Sequence, residues 1–407
     1  MPGALPAGAP VPVDGALPPS ALTAVGRHGF GVYLHVPFCA ARCGYCDFNT
    51  YTPAELGGSA PTGEYVEAVL AELDLAAKVL ADQPPRRVDT VFVGGGTPSL
   101  LAADDLARLL AAIDATWGLA PDAEVTTEAN PESVDPTSLR ALRQAGYTRI
   151  SLGMQSTASG VLAVLDRRHA PGRAVAAARE ARDAGFAHVN LDLIYGTPGE
   201  SADDFAASLD AVLAAGADHV SAYSLIVEDG TRLAARMRRG ELPYPDDDEA
   251  ADRYLAAEAA LTAGGFGWYE VSNWAASEAA RCRHNLLYWT GGDWWGLGPG
   301  AHSHVGGVRW WNVKHPTEYA RRLAAGHSPG HGRELLTDAE QLVEDVMLRL
   351  RLSSGLPLTR LAAEGRAAAG RAALDGLLDA TALAAGRAVL TLRGRLLADA
   401  VVRDLLS

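Results

Sequence analysis

A chain of 407 residues with 48% hydrophobic content carries enough apolar surface for two or three packed units, which sets global disorder aside. The formal net charge of −14 works against phosphate backbones, whose binding draws on clustered Lys and Arg, so nucleic acid is not an expected partner. Four cysteines are too few for a disulfide framework in a chain of this length, and a reducing, cytoplasmic compartment is expected.

In chain order, residues 1–28 form a Pro/Ala-rich extension that is expected to be flexible. It has neither the basic start nor the apolar run of a signal peptide. No later apolar run reaches the length of a membrane span, and only peripheral membrane contact stays open. Residues 29–265 alternate short β-type runs with longer Ala/Leu-rich helical runs. Val32–Val36, Thr90–Val93, Glu124–Glu128, Arg149–Leu152, His188–Ile194 and His219–Leu225 read as strands. Glu64–Leu80, Ala103–Trp117, Ser138–Ala145, Arg173–Ala184 and Ala202–Ala215 read as helices between them. Strands apolar on both faces, alternating with helices, predict an α/β protein with a parallel sheet. An incomplete (β/α)6 barrel is expected first, with a doubly wound open sheet as the alternative. In either fold the chemistry belongs to the loops at strand C-termini, and the unusual residues fall there.

Past residue 265 the texture changes, and seven of the eight tryptophans lie between 268 and 311. Residues 266–333 are therefore read as a Trp/His/Gly-rich segment. From 334 to 407 the chain turns helical again, with Ala339–Leu350 amphipathic and Val389–Leu397 reading as a hairpin around Gly394. This tail is expected to be a small, mainly helical domain. A winged helix is the alternative to a structural cap, and the acidic charge favours the cap.

Three cysteines, Cys39, Cys43 and Cys46, stand in one loop behind the first strand. Intervals of three and two residues let one loop wrap three corners of an iron–sulfur cluster and leave the fourth iron without a local cysteine. A structural zinc site would need a fourth ligand, Cys282 or a histidine, and such sites usually pair two Cys-x2-Cys knuckles, whereas here the first gap is three residues and no second knuckle exists. The run Cys39-x3-Cys43-x2-Cys46, with Tyr45 before the last cysteine, resembles the signature of radical S-adenosylmethionine (SAM) enzymes. That resemblance implies a [4Fe–4S] cluster whose open iron is chelated by SAM and whose electron cleaves the sulfonium. It also implies a SAM site made of Tyr33, Tyr45, the glycine motif Gly94–Gly96 (Gly95 and Gly96 with Thr97), Glu128, Gln155, Arg167 and Asp192. The residue types suit the task, since carboxylates bind ammonium and ribose hydroxyls while Arg binds a carboxylate.

The strings Tyr33-Leu-His35-Val-Pro37-Phe38-Cys39, Gly94-Gly-Gly-Thr-Pro98, Asp192-Leu-Ile-Tyr-Gly196 and Tyr269-Glu-Val-Ser-Asn273 are similar to the oxygen-independent coproporphyrinogen III oxidase group. The oxidases of that group carry a further cysteine two positions after the third, where this chain has Phe48. The departure points to the HemW-type relatives, which are haem chaperones, and so does Cys282-Arg-His284-Asn285-Leu-Leu-Tyr288-Trp289. Aromatic faces stack on a flat macrocycle, and His or Cys can ligate its iron. The haem candidates are Cys282, His284, Asn285, Tyr288 and Trp289, and the sequence does not choose between Cys282 and His284 as ligand. The resemblance implies haem as cargo and acceptor haemoproteins such as respiratory enzymes as partners. Radical SAM decarboxylation of coproporphyrinogen III is the alternative function. A structural iron–sulfur or zinc protein, which would not bind SAM, is the third.

Overall fold

The structure is a computed structural model in which residues 7–24, 26, 29–58, 60–83 and 86–407 are described. Six strands, β1 (Phe30–Val36), β2 (Val88–Gly95), β3 (Leu119–Ala129), β4 (Arg149–Gln155), β5 (His188–Tyr195) and β6 (His219–Ser224), lie side by side in sequence order and pair in parallel. Helices Thr62–Val79, Ala103–Trp117, Pro136–Gln144, Arg173–Asp183 and Ala202–Ala215 connect them. Asp135 caps the third of these, accepting from the backbone N–H of Thr137 and Ser138, with Pro136 at the first helical position, where its missing donor costs nothing.

The strands are not apolar on both faces, as their Val- and Leu-rich runs suggested. Val32, Leu34, Val91, Val93, Val125, Ile150, Leu152, Val189, Leu191, Val220 and Ala222 belong to the apolar core that includes the connecting helices. The intervening positions, with the period of two that a pleated strand imposes, carry Tyr33, His35, Thr90, Thr126, Glu128, Ser151, Asn190, Asp192, His219 and Ser221 on the opposite face. Cross-strand register aligns them: Glu128 lies beside Ser151, Ser151 beside Asn190, and Asp192 beside Ser221. The sheet thus has a polar face on which a site can be built.

The Trp-rich segment completes this sheet at both ends. A hairpin of β7 (Gly267–Glu270) and β8 (Asn273–Ala275) pairs antiparallel with β6. On the other side β9 (Asp293–Leu297) pairs parallel with β1, and an antiparallel run of β10 (His302–Val305), β11 (Val308–Asn312) and β12 (Gly330–Leu335) follows. The result is a twelve-stranded open sheet, ordered β12-β11-β10-β9-β1-β2-β3-β4-β5-β6-β8-β7.

The N-terminal extension is packed over part of its described length. Residues 1–6 lie outside the described residues, but Ala9 and Arg333 exchange backbone hydrogen bonds of 2.8 and 2.9 Å, and Leu17 and Ala21 are buried. This isolated bridge gives the open sheet edge at β12 a backbone partner.

The C-terminal part has its own apolar cluster, including Val346, Leu350, Leu356, Ala369, Leu378 and Val401. Helix Asp338–Arg349 opens with a capping box between Thr337 and Glu340. The expected hairpin over Val389–Leu397 is absent. Residues Leu392–Leu396 form a short helix capped by Thr391, while Arg387–Ala388 pairs with Leu356–Pro357. Thr391 accepts the Gly394 N–H, so the glycine serves a helical turn and not a strand reversal. No helix among the described residues is long and apolar enough to cross a membrane.

Candidate functional site

The loop behind β1 is fastened on both sides. Cys39 N–H donates to the Tyr51 carbonyl at 3.0 Å, Thr97 N–H to Phe38 at 2.8 Å, Gly44 N–H to Leu165 at 3.1 Å, and Leu233 N–H to Gly44 at 2.8 Å. All three cysteines line one cleft of about 470 Å³ at the C-terminal ends of the parallel strands, together with Tyr45, Gly95, Gly96 and Thr97. Glu128, Gln155, Arg167 and Asp192 line it too. The structure therefore brings together every residue of the expected cluster and SAM set except Tyr33. Tyr33 lies in a second cleft that shares the walls Gly95 and Phe48 with the first.

The glycines are required by space. A Cβ on Gly96 would lie 2.5 Å from the Phe38 carbonyl oxygen and 3.0 Å from Cys39 Sγ, and Gly95 has φ +111°. Only a residue without a side chain lets this backbone run against the cysteine loop. Thr97 Oγ1 is 3.9 Å from Cys39 Sγ and accepts from Asn130 Nδ2 at 3.0 Å. Arg167 donates from Nη1 to Cys43 Sγ at 3.5 Å and from Nη2 to the Gly153 carbonyl at 2.7 Å.

Gln155 was named on sequence, but its backbone was not foreseeable. It has φ 63°, in the left-handed region, at a register shift between Gly153 and Gln155. Such conformations in non-glycine residues concentrate where function over-determines them. Its Oε1 is buried without a hydrogen-bond partner among the described residues, as is Arg167 Nε.

The carboxylates are held far from their usual state. Burial, and then the neighbouring charge of Asp192, push Glu128 up to about 8 although the Gly95 N–H donates to it at 3.0 Å. Burial also raises Asp192, which accepts from Ser151 Oγ at 3.0 Å and from Asn190 Nδ2 at 2.7 Å. Two buried acids and unsatisfied polar atoms around one cleft mark a site shaped for a ligand with cationic and hydroxyl groups. Three soft thiols at its wall fit an iron–sulfur cluster. Among the described residues no three Cys, His, Asp or Glu side chains are grouped for a single metal ion.

The haem candidates part company. Cys282 is buried, its Sγ donating to Glu124 Oε1 at 3.6 Å, and burial followed by the Glu124 charge pushes its thiol up. His284 is buried with both ring nitrogens engaged, Nδ1 with Thr90 Oγ1 and Nε2 with Tyr288 Oη, each at 2.8 Å, and burial lowers it to about 3. Asn285 and Trp289 hydrogen-bond to Glu270, whose carboxyl burial raises to about 7. Neither Cys282 nor His284 lines either cleft; of the five candidates Tyr288 does, on the second. The helix Arg283–Trp289 carries too few residues for a periodicity that tells its buried from its open face.

Sequence reasoning missed the network beneath the cleft. Asn190 links Asp192, Ser151 and Ser221, and its Oδ1 accepts from His219 Nδ1 at 2.6 Å. Tyr269 Oη then bonds His219 Nε2 at 2.7 Å and accepts the Cys282 N–H at 3.2 Å. The signal was there as alternation, in His188-Val-Asn190-Leu-Asp192-Leu.

With this geometry in hand, the relatives decide the family. A radical SAM superfamily model matches residues 33–212. The chain is 61% identical over 377 residues to the haem chaperone HemW of Mycobacterium tuberculosis, covering 93% of this chain and 95% of that protein. The chain belongs to the HemW-type radical SAM family. The HemW of Bacillus subtilis is 33% identical over 347 residues, 85% of this chain and 88% of its own length. In fold, the HemW-type chain matches coproporphyrinogen III oxidase from Escherichia coli with a TM-score of 0.79 at 24% identity, over 97% of this chain and 93% of the oxidase. The incomplete barrel expected from the strand–helix alternation is thus the shared architecture.

Proposed function

We propose that this protein is a haem chaperone that binds haem and passes it to acceptor haemoproteins such as respiratory enzymes. In this reading Cys39, Cys43 and Cys46 hold a [4Fe–4S] cluster. Tyr45, Gly95, Gly96, Thr97, Glu128, Gln155, Arg167 and Asp192 form the SAM site beside it, while Tyr33, also expected there, lies on the second cleft. The observation that carries the reading is the convergence of three thiols, the glycine turn and two raised carboxylates on one cleft, in a chain 61% identical to a HemW. When bound, the cluster supplies an open iron and an electron. The chain's own part is to receive the methionyl carboxylate at Arg167 and the ammonium and ribose hydroxyls at Glu128 and Asp192. Phe48, 58% exposed between the two clefts, stands where the oxidases have a cysteine, and this favours the chaperone over the oxidase. Residues 334–407 act as a structural cap, a role supported by Arg349 Nη2 bonding the Thr290 carbonyl at 2.7 Å and by the Arg395–Glu258 ion pair at 2.9 Å. Three thiols needed in reduced form support a cytoplasmic location.

The test is titration of the anaerobically reconstituted protein with haemin, read by absorption. Saturable binding supports the chaperone; weak, unsaturable uptake with turnover of coproporphyrinogen III would replace it by the oxidase.

The raised Glu128 carries a prediction about pH. A carboxyl at about 8 is mostly neutral at pH 7, whereas an ammonium ligand needs it ionised. SAM affinity should therefore rise with pH toward 8 and fall again above it, where the ligand's own α-ammonium, ordinarily about 7.7–8.0, loses its proton, and Glu128→Gln should bind weakly with the rising limb removed. The sign for stability is opposite: a folded-state value above the unfolded one contributes stability at low pH that is lost as pH rises through 8. Ligand-free E128Q should then gain stability over the parent above pH 8. Calorimetry of SAM binding and thermal melts of both proteins across pH 6–9 check this.

A further inference from the structure

The second cleft has a volume of about 420 Å³ and is walled by Tyr33, Phe48, Tyr288, Trp294, His302 and Lys314, among others. Its size is that of a small-molecule site, and its aromatic share suits a flat apolar ligand. Tyr288 and Trp294 rings meet edge to face at 4.5 Å between centroids.

Six histidines lie in the Trp-rich segment, and His302 alone among them lines the cleft. Both nitrogens of His284 are hydrogen-bonded, whereas His304 and His315 each engage only Nδ1, with the Gly292 carbonyl at 2.8 Å and the Thr317 N–H at 3.2 Å, and lie outside the cleft lining. His302 differs. It lines the cleft, and its ring makes no hydrogen bond among the described residues. The ring is nonetheless oriented, lying against Trp311 at 5.7 Å with planes 26° apart. Its backbone is fixed by pairing with Trp311 in β11 and by Trp294 Nε1, which donates to its carbonyl at 2.9 Å. On the far side, His35 is not available, since Tyr33 Oη and the Asn49 carbonyl hold its two nitrogens.

We propose that the second cleft is the haem site and that His302 supplies the axial nitrogen to the iron, in place of Cys282 or His284. This rests on the chaperone reading above. The iron accepts a lone pair from a ring nitrogen, and no other bond changes. Burial, followed by the Arg309 and Lys314 charges, lowers His302, so the imidazole is neutral and its lone pair is free at pH 7. Lys314 at the cleft wall offers a cation to a propionate. The aromatic walls hold the macrocycle, and Phe48 and Gly95 place it next to the cluster cleft.

The experiment is haemin titration of the reconstituted full chain, as parent, His302→Ala, His302→Cys and His284→Ala, with absorption and electron paramagnetic resonance spectra. H302A should bind at least about tenfold more weakly with an altered Soret band, and added imidazole should restore the parent spectrum. H302C should give a thiolate-type spectrum, a gain that misfolding cannot imitate. H284A should keep the parent ligation signature. Parent-like affinity and spectrum in H302A, with saturable parent binding, would overturn the assignment of His302 and leave the chaperone reading standing. Absence of saturable binding in the parent would overturn both.

Discussion

Replacing Cys43 by Ala should abolish the cluster. Reconstituted C43A should hold iron only at background, lack the cluster's visible absorption, and show no spectral response to SAM, because two thiolates from one loop do not fix a four-iron cube. Cys43 is only partly buried and outside the apolar clusters, so the thermal transition of the ligand-free protein should stay close to that of the parent. Cys282→Ala is the control: it should keep its full iron, since Cys282 sits in the Glu124–Tyr269 network and not at the cleft. Iron analysis with absorption spectra decides. A normally loaded C43A, or an iron-free C282A that is otherwise folded, would remove the cluster assignment.

The second large effect is on stability. Arg149 and Glu124 form an ion pair at 3.0 Å with side chains 1% and 5% exposed, and Arg149 also donates to the carbonyls of Ala280 and Arg281. These bonds tie the strands to the chain leading into helix Arg283–Trp289. Arg149→Ala leaves a carboxylate buried without its partner, at a cost of about 3–5 kcal/mol. Urea unfolding of the ligand-free chain should register that as a lower midpoint. The double variant Arg149→Leu/Glu124→Leu should recover part of it, because two apolar side chains leave no unpaired charge. An R149A midpoint equal to the parent's would mean that Glu124 finds another partner and that this layer does not bear the barrel floor.

The same network explains which parts of the site were legible in the sequence. Cys39, Cys43, Cys46 and Gly94–Gly96 were readable because their constraint is local, in spacing and in absent side chains. Glu128 was readable as an acid at the end of a strand and Asp192 as one within a strand. The surroundings of His284 and Cys282 were not legible because a short helix gives no face to read, and only the tertiary fold turns them toward Thr90 and Glu124. His302 was one histidine among six in its segment, and its place on the cleft and against Trp311 is set by the fold. The left-handed Gln155 arises from the β4–β5 register, a pairing between strands distant in sequence. Likewise the flexible reading of the N-terminus followed its proline content, whereas the sheet edge at Arg333 supplies the partner. The hairpin around Gly394 failed because glycine serves helix turns as readily as strand turns.

The most direct test of the central claim is transfer. Haem-loaded, cluster-reconstituted protein would be mixed with an apo-haemoprotein, the two separated, and haem followed from one to the other while coproporphyrinogen III consumption is assayed with SAM and reductant. The account predicts that haem leaves this protein for the acceptor and that coproporphyrinogen III is not consumed. Haem retained on this protein, or coproporphyrinogen III consumed at a catalytic rate, would contradict it.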